Sequence, residues 1–223
     1  STYGTVSKPL RLSSHNDQQA TWMSLDLEGK GKGWGGLILD ASYASSPSSN
    51  AEFMAVSPAS NDSFLFGSTI RPYRVSASGS PSIDILENNY LGGSEADAAR
   101  SKLSALLSNT QLSYSNIFAQ DIRDLNVSAL DLTAKYTTAK ASVTPLTTVF
   151  ASDGLSSQLS VIAETIQMQQ SLNISRQMFY ATLGGFDTHN NQAEDLETGH
   201  ERIAASIASF KLAMEEIGIW DDV

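Results

Sequence analysis

A short apolar run, a glycine pair and two polar side chains follow one another in Gln177-Met-Phe-Tyr-Ala-Thr-Leu-Gly-Gly-Phe-Asp-Thr-His-Asn-Asn-Gln192. The run at 177–183 is rich in strand-forming residues and stops at the glycines, which predicts a buried strand. The residues beyond the glycines are then expected at the strand's carboxyl end. Open α/β sheets bind their ligands at that edge.

Asp187 and His189 lie two positions apart, just beyond the glycine pair. A carboxylate oxygen and an imidazole nitrogen at this spacing can reach one divalent cation, and zinc, manganese and iron accept such mixed ligands. The same residues also fit a simpler structure, in which Asp187 caps a turn or the following helix and His189 is a solvated loop residue. Spacing alone does not choose between these interpretations.

Helical periodicity flanks this segment on both sides. Apolar residues recur every three or four positions over 155–166 and again over 196–217, which predicts two amphipathic helices. The order helix, strand, loop, helix is the building unit of a layered α/β fold. Two further helices are predicted upstream, over 95–107 and about 115–139, and no chemistry is assigned to them.

Residues 51–85 differ in character from the helical segments. Short runs of strand-forming residues at 53–56, 63–66 and 73–75 alternate with Ser, Pro, Asn and Gly. This pattern predicts a small β-rich insertion of strands joined by turns. Arg71 and Arg74 lie within it, and either would bind an oxyanion if it folded back toward the site, although most arginines are simply exposed.

A second polar cluster lies in Leu12-Ser-Ser-His-Asn-Asp-Gln-Gln19. Ser14 or Asn16 is a suitable N-cap for a short helix that begins here. The start of such a helix favours anions, because its N–H groups are free and its dipole is positive there. The polar side chains around its first turn would be His15, Asp17 and Gln19.

Three motifs in this order resemble one bacterial family. They are Leu12-Ser-Ser-His-Asn-Asp-Gln-Gln19, Gly33-Trp-Gly-Gly36 and Leu183-Gly-Gly-Phe-Asp-Thr-His-Asn-Asn-Gln192. The family is known as domain of unknown function 1501; its members are mostly exported and are similar to the sulfatase and alkaline-phosphatase superfamily. The resemblance implies an alkaline-phosphatase-like α/β/α sandwich in a periplasmic or secreted protein.

The resemblance also implies a metal-dependent hydrolase of sulfate or phosphate esters, whose substrate would be a small-molecule or polysaccharide ester. Asp187 and His189 would hold the divalent metal, which would be Zn²⁺, Mn²⁺, Ca²⁺ or Mg²⁺. The substrate-binding residues would be Gln19 and Arg71.

Ser14 is the candidate nucleophile in this interpretation. A serine hydroxyl needs a base or a metal to activate it, and His15 or a nearby cation would supply that. His15 and Asp17 would orient Ser14 or the substrate, which makes these three the candidate catalytic residues. In the alternative, Ser14 is only an N-cap and His15 is a satisfied polar residue at the helix start.

Several motifs of the family pattern lie outside these 223 residues. By resemblance, a Gly-Gly-Asn-Asp-type strand precedes this region, and a Phe-Gly-Arg-type motif with a later Asp-His pair follows it. We therefore expect one α/β domain over 1–223, forming the central portion of a longer family domain, with the remaining segments as its partners. The alternative function is an exported, non-catalytic binding or structural protein that keeps the fold with an incomplete site.

Composition excludes several classes of function. The 14 basic and 24 acidic residues give a formal net charge of −10, which argues against nucleic acid as a partner. No cysteine is present, so disulfides, thiolate metal sites and cysteine nucleophiles are excluded. No apolar run approaches the roughly 18 residues of a membrane span. The glycine-rich residues 29–36 do not have the spacing of a phosphate-binding P-loop.

Overall fold

The computed structural model describes residues 14–26, 31–59, 63–76, 93–108 and 117–223. Over this part of the chain the protein is mixed α/β, mostly helical, with a small parallel sheet of three strands. The helices are α1 (His15–Ser24), α2 (Trp34–Ser45), α3 (Gly93–Ser108), α4 (Ile117–Ala141), α5 (Gly154–Gln167) and α6 (Gln192–Glu216). The strands are β1 (Ala55–Ser57), β2 (Tyr73–Arg74) and β3 (Met178–Phe179). None of the described helices is both long enough and apolar enough to cross a bilayer.

The chain divides into two compact units. Ser1–Gly79 and Val143–Val223 form the first unit, and Ser80–Ser142 form the second. In the second unit α3 packs against α4. The sheet and all the predicted site residues belong to the first unit.

The sheet has the order β2-β1-β3, and both strand pairs are parallel. Val56 of β1 is in register with Tyr73 of β2 on one side and with Phe179 of β3 on the other. The predicted strand at 177–183 is therefore present, but only two of its residues form regular pairs. Its side chains are half-buried, whereas those of the central strand β1 are fully buried.

Strand pairing corrects the prediction of a separate β-rich insertion at 51–85. The runs at 53–56 and 73–75 do supply strands, but these strands pair in the same sheet as β3. They were predicted apart from β3 because parallel strands are joined by long connections, which no local pattern reveals. Residues 60–62 and 77–85 of the predicted insertion lie outside the described residues.

The run at 63–66 is not a strand but contains a 3₁₀ turn, Ser63–Leu65. Phe64 and Leu65 are both buried although they are adjacent in sequence. A tight turn can bury two successive side chains on one side, whereas successive side chains of a strand point to opposite faces.

Alternate side chains of β3 and the residues after it contact different helices. Phe179 and Ala181 pack against a core that α5 and α6 form together. Met178 lies close to Gly35 of α2, and the ring of Tyr180 is 5.7 Å from that of Phe64. Helices therefore approach this strand from both of its faces.

The core between α5 and α6 confirms the two predicted amphipathic helices. It is built from Ile162, Ala163, Ile166, Ala213 and Met214, all of them buried. Asp153 caps the start of α5 by accepting the backbone N–H groups of Leu155 and Ser156. Gly218 (φ 73°) ends α6, where the N–H of Ile219 donates to the carbonyl of Met214. A left-handed glycine with this bond is the Schellman form of helix ending.

The glycine-rich motif at 33–36 packs α2 tightly against the turn at 63–67. A Cβ atom on Gly33 would lie 2.0 Å from the carbonyl oxygen of Phe64, and one on Gly36 would lie 2.3 Å from the backbone nitrogen of Gly67. Only glycine allows the two backbones to come this close. The motif is therefore a packing element in this structure.

Asp40 of α2 fixes the loop that follows this turn. Its carboxylate accepts the backbone N–H groups of Ser68, Thr69 and Ile70. Burial raises the pKa of Asp40, but these hydrogen bonds together outweigh it and hold the pKa below its usual value. Asp40 therefore acts as a structural anion that ties α2 to this loop.

Candidate functional site

The start of α1 presents the first group of candidate residues. Ser14 is the N-cap, with an extended backbone (φ −85°, ψ 124°), and its Oγ accepts the N–H of Asp17 at 3.5 Å. The carbonyl of Ser14 accepts the N–H of Gln18 at 3.0 Å. The capping role proposed for Ser14 is thus present, and it holds the candidate hydroxyl beside His15.

The segment after β3 is held in place at two points. Thr182 donates its N–H to Gln158 Oε1 and accepts from Gln158 Nε2, both at 2.9 Å, so a side chain of α5 pairs with this backbone as a neighbouring strand would. Further along, the ring of Phe186 lies against His200 of α6, with 6.0 Å between ring centres, and over Gly199. Asp187 follows directly, so its backbone is anchored by α6.

These two segments meet at Asp187. The Nδ1 atom of His15 lies 3.6 Å from Asp187 Oδ2, and the Nε2 atom of His189 lies 3.4 Å from the same oxygen. We call these three residues the His–Asp–His cluster. The structure therefore brings together His15 from the motif at 12–19 with Asp187 and His189 from the motif at 183–192.

An aromatic cluster explains how α1 reaches the end of β3. The ring of Trp22 in α1 stacks on Phe64 at 6.1 Å and meets Trp34 of α2 at 6.2 Å. Phe64 in turn contacts Trp34 and Tyr180, the residue directly after β3. Aromatic pairs at these separations stabilise by about 0.5–1.5 kcal/mol each beyond their buried area. This indirect link through Phe64, from α1 to the residue after β3, was not predicted, because no local pattern reports it.

Distances within the His–Asp–His cluster exceed those of hydrogen bonds. Two ligands that bind one tetrahedral ion at about 2.1 Å lie roughly 3.4 Å apart, which is close to both separations measured here. Two imidazoles and one carboxylate form a donor set that suits zinc or manganese. The donor types present are therefore those that a divalent metal takes.

The His–Asp–His cluster is open to solvent. The exposed fractions of its side chains are 70% for His15, 62% for Asp187 and 85% for His189. Among the residues that the structure describes, no group of three or more His, Asp or Glu side chains is arranged so that it could hold a metal ion. Metal binding at the cluster would therefore require its exposed imidazoles to rotate, which surface side chains do freely.

Asp17 has one carboxylate oxygen that is inaccessible to solvent. No group in the described part of the chain donates a hydrogen bond to this Oδ2 atom. A buried polar atom without a partner is costly and calls for an explanation such as a bound water or ion. Among the predicted site residues, Asp17 is therefore the one whose buried carboxylate oxygen lacks a hydrogen-bond donor or cation in the described part of the chain.

The two predicted substrate-binding residues occupy different environments. Gln19 is exposed on α1. Arg71 donates to the carbonyls of Gly67 and Ile70 and lies over the ring of Phe66, 5.8 Å from its centre. Within the described residues no ion pair joins Arg71 to the His–Asp–His cluster.

No family model, no curated protein and no solved structure matches this chain. Functional inference therefore depends on the residues of the site. The contact between His15, Asp187 and His189 is the observation with the most chemical content.

Proposed function

We propose that this protein is a metal-dependent hydrolase of sulfate or phosphate esters. The observation that supports this proposal is the approach of both His15 and His189 to one oxygen of Asp187. These residues belong to two of the three motifs that resemble the family domain of unknown function 1501. On the same resemblance we propose that the protein is periplasmic or secreted.

Contacts of β3 support the alkaline-phosphatase-like α/β/α sandwich as the fold. Phe179 packs toward α5 and α6, while Met178 lies beside α2. A parallel sheet with helices on both faces is the usual architecture of α/β proteins. In such a fold the ligand site lies beyond the carboxyl ends of the strands, and Asp187 follows β3 in this way.

Asp187, His189 and His15 would hold the metal. Two imidazole donors favour zinc or manganese over calcium or magnesium, which prefer oxygen ligands. When bound, such an ion polarises the ester oxygen and lowers the pKa of a bound water or hydroxyl. The anchors at Thr182 and Phe186 would help to fix the carboxylate, because they hold the backbone that leads to Asp187.

Ser14 would supply the nucleophile from the start of α1. Its Oγ accepts the N–H of Asp17, so its own O–H stays available for deprotonation, and binding of this hydroxyl to the metal would lower its pKa. The free N–H groups and the dipole of α1 would favour the negative charge of the sulfate or phosphate group. Gln19 would bind the ester from the same helix.

Removal of the shared carboxylate tests this proposal. The variant Asp187→Asn should lose bound metal by elemental analysis and should lose turnover of chromogenic phosphate and sulfate esters. Asp121→Asn is the matched control, because it makes the same change at an exposed residue of α4 in the second unit, outside the cluster. The proposal fails if Asp187→Asn keeps either metal or turnover at the wild-type level.

A non-catalytic binding or structural protein is the second candidate. The high exposure of all three cluster residues favours it, because catalytic groups are usually held in a water-excluding site. This function predicts no hydrolysis of phosphate or sulfate esters with added Zn²⁺, Mn²⁺, Ca²⁺ or Mg²⁺. Any metal-dependent turnover that disappears in Asp187→Asn rules it out.

A further inference from the structure

A cavity of about 130 Å³ lies beside the residues that lead into β1 and β3. Met54 precedes β1, and Ser175 and Arg176 precede β3, so the cavity is at the amino ends of the strands. The His–Asp–His cluster, in contrast, contains Asp187, which follows β3. We call this cavity the Ser–Arg pocket; its polar lining residues are Ser42, Ser45, Ser46, Ser48, Ser175 and Arg176.

The wall of the Ser–Arg pocket is built by hydrogen bonds between distant segments. Ser48 donates its hydroxyl to the carbonyl of Asn173 at 3.1 Å, and Asn50 donates its side-chain amide to the carbonyl of Leu172 at 2.8 Å. Gln177 donates its side-chain amide to the carbonyl of Phe53 at 3.0 Å. The loop after α2 is therefore tied to the turn before β3, and the lining residues are held in a fixed arrangement.

The charge of the pocket is not neutralised by its own lining. Arg176 is exposed, and no Asp or Glu is among the described residues that line the cavity. The protein has 24 acidic residues to 14 basic ones, so a cavity with an arginine and no carboxylate differs from the rest of the molecule. A guanidinium offers five donors in a planar fork that matches the oxygens of a carboxylate, sulfate or phosphate.

Hydroxyl groups around Arg176 add donors of the right kind. Ser45 and Ser48 donate their hydroxyls to backbone carbonyls. For Ser42, Ser46 and Ser175, in contrast, no hydroxyl hydrogen bond is present within the described part of the chain. These three can turn their O–H groups toward a ligand, because a hydroxyl rotates to suit its partner. The volume is far above the roughly 10–15 Å³ that one water requires, so a tetrahedral anion fits.

We propose that the Ser–Arg pocket binds a tetrahedral oxyanion, either free sulfate or phosphate or the same group on a larger ligand. Arg176 would provide the charge and a two-pronged hydrogen bond, and the serine hydroxyls would bind the remaining oxygens. The site is independent of the proposed ester hydrolysis, because it uses no residue of the His–Asp–His cluster.

Calorimetric titration with sodium sulfate and sodium phosphate tests the site. The protein is first treated with a chelator, so that a metal at the cluster does not contribute, and sodium chloride at equal ionic strength serves as the blank. Arg176→Gln should weaken sulfate binding about tenfold or more, since hydrogen bonds to charged groups are among the stronger ones. Arg176→Lys should give an intermediate affinity, because it keeps the charge and loses the fork.

Arg202→Gln is the matched control, because Arg202 is exposed on α6 and does not line the pocket. It makes the same change in net charge, so its sulfate affinity should equal that of the wild type. The proposal is overturned if sulfate and phosphate do not bind, or if the variants of Arg176 and Arg202 lose affinity equally. A sulfate or phosphate monoester that binds more tightly than the free anion would identify the group as part of a larger ligand.

Discussion

The two sides of β3 differ in how firmly they are held. On the α5–α6 side, Met214 and Ala213 are fully buried in an apolar core. On the α1 side, His15, Asp187 and His189 are more than half exposed and touch only at 3.4–3.6 Å. The α5–α6 side of the strand is therefore an apolar core, while the candidate chemistry beyond the strand is open to solvent.

Hydrogen bonds between side chains also join α5 and α6. Asp153 accepts the Ser156 hydroxyl at 2.6 Å, and this hydroxyl lies 2.8 Å from that of Ser206, so a buried polar chain joins α5 to α6. The hydrogen bond from the Ser156 hydroxyl, with those from the backbone, lowers the pKa of Asp153. Substitutions on the α5–α6 side should therefore change the free energy of unfolding, and substitutions in the cluster should change metal binding.

Met214→Ala should have the largest effect on stability. Met214 is completely buried between α5 and α6, and truncation of such a side chain costs about 2–5 kcal/mol because it leaves a cavity. Urea denaturation measures the loss. Leu212→Ala, on the same helix but 57% exposed, should stay within about 0.5 kcal/mol. Equal losses for the two variants would contradict the assignment of this core.

Gly36→Ala should have the next largest effect, and it tests the α1–α2 side. The added Cβ would meet the backbone of 65–67 at 2.3–2.6 Å, and overpacking of this kind costs about 1–3 kcal/mol. The same denaturation experiment applies. Gly184→Ala is the control, since a Cβ there would have no neighbour within 4 Å; if Gly36→Ala is as harmless as Gly184→Ala, the close packing of α2 on the turn is wrong.

Local sequence patterns predicted the helices well, and the reason is physical. The apolar stripe of α5 and the Ser14 cap of α1 are written in residues three or four positions apart, which is the scale of a helical turn. Strands depend on partners that are distant in sequence. The predicted strand at 177–183 forms regular pairs only at Met178–Phe179, because β1, its partner, is itself only three residues long.

In the candidate site, too, the local pair was predicted from the sequence and the contact between distant residues was not. Asp187 and His189 were paired because they are two positions apart, and the structure does place them in contact. The approach of His15 depends on the packing of Trp22 against Phe64, which no spacing rule reports. Arg71 was assigned to the site by residue type alone and stays a prediction; its guanidinium donates to the carbonyls of Gly67 and Ile70 in its own loop.

Glu216→Gln should have the smallest effect on stability, and the size of this effect depends on pH. Glu216 accepts the N–H and hydroxyl groups of Thr147 and Thr148, four hydrogen bonds in all. The Thr148 hydroxyl first, then the donors of Thr147, lower its pKa from 4.5 to about 2. Because the unfolded chain binds the proton at higher pH than the folded one, this stabilisation is complete above pH 4.5 and is lost as the pH falls toward 2. The carboxylate is at the surface, where solvent screens such interactions, so the total is small.

Urea denaturation at several pH values between 2 and 7 measures this difference. The stability of the wild type should exceed that of Glu216→Gln near neutral pH, and the two curves should converge as the pH falls below about 4. Glu215→Gln, which loses only an exposed pair with Lys211, should run parallel to the wild type over most of this range. A gap between wild type and Glu216→Gln that stays constant down to pH 2 would show that the four hydrogen bonds do not depend on the charge of the carboxylate. The charge of Glu216 would then add nothing to the free energy of unfolding on the α5–α6 side. The difference between this side and the exposed His–Asp–His cluster would come from the burial of apolar side chains.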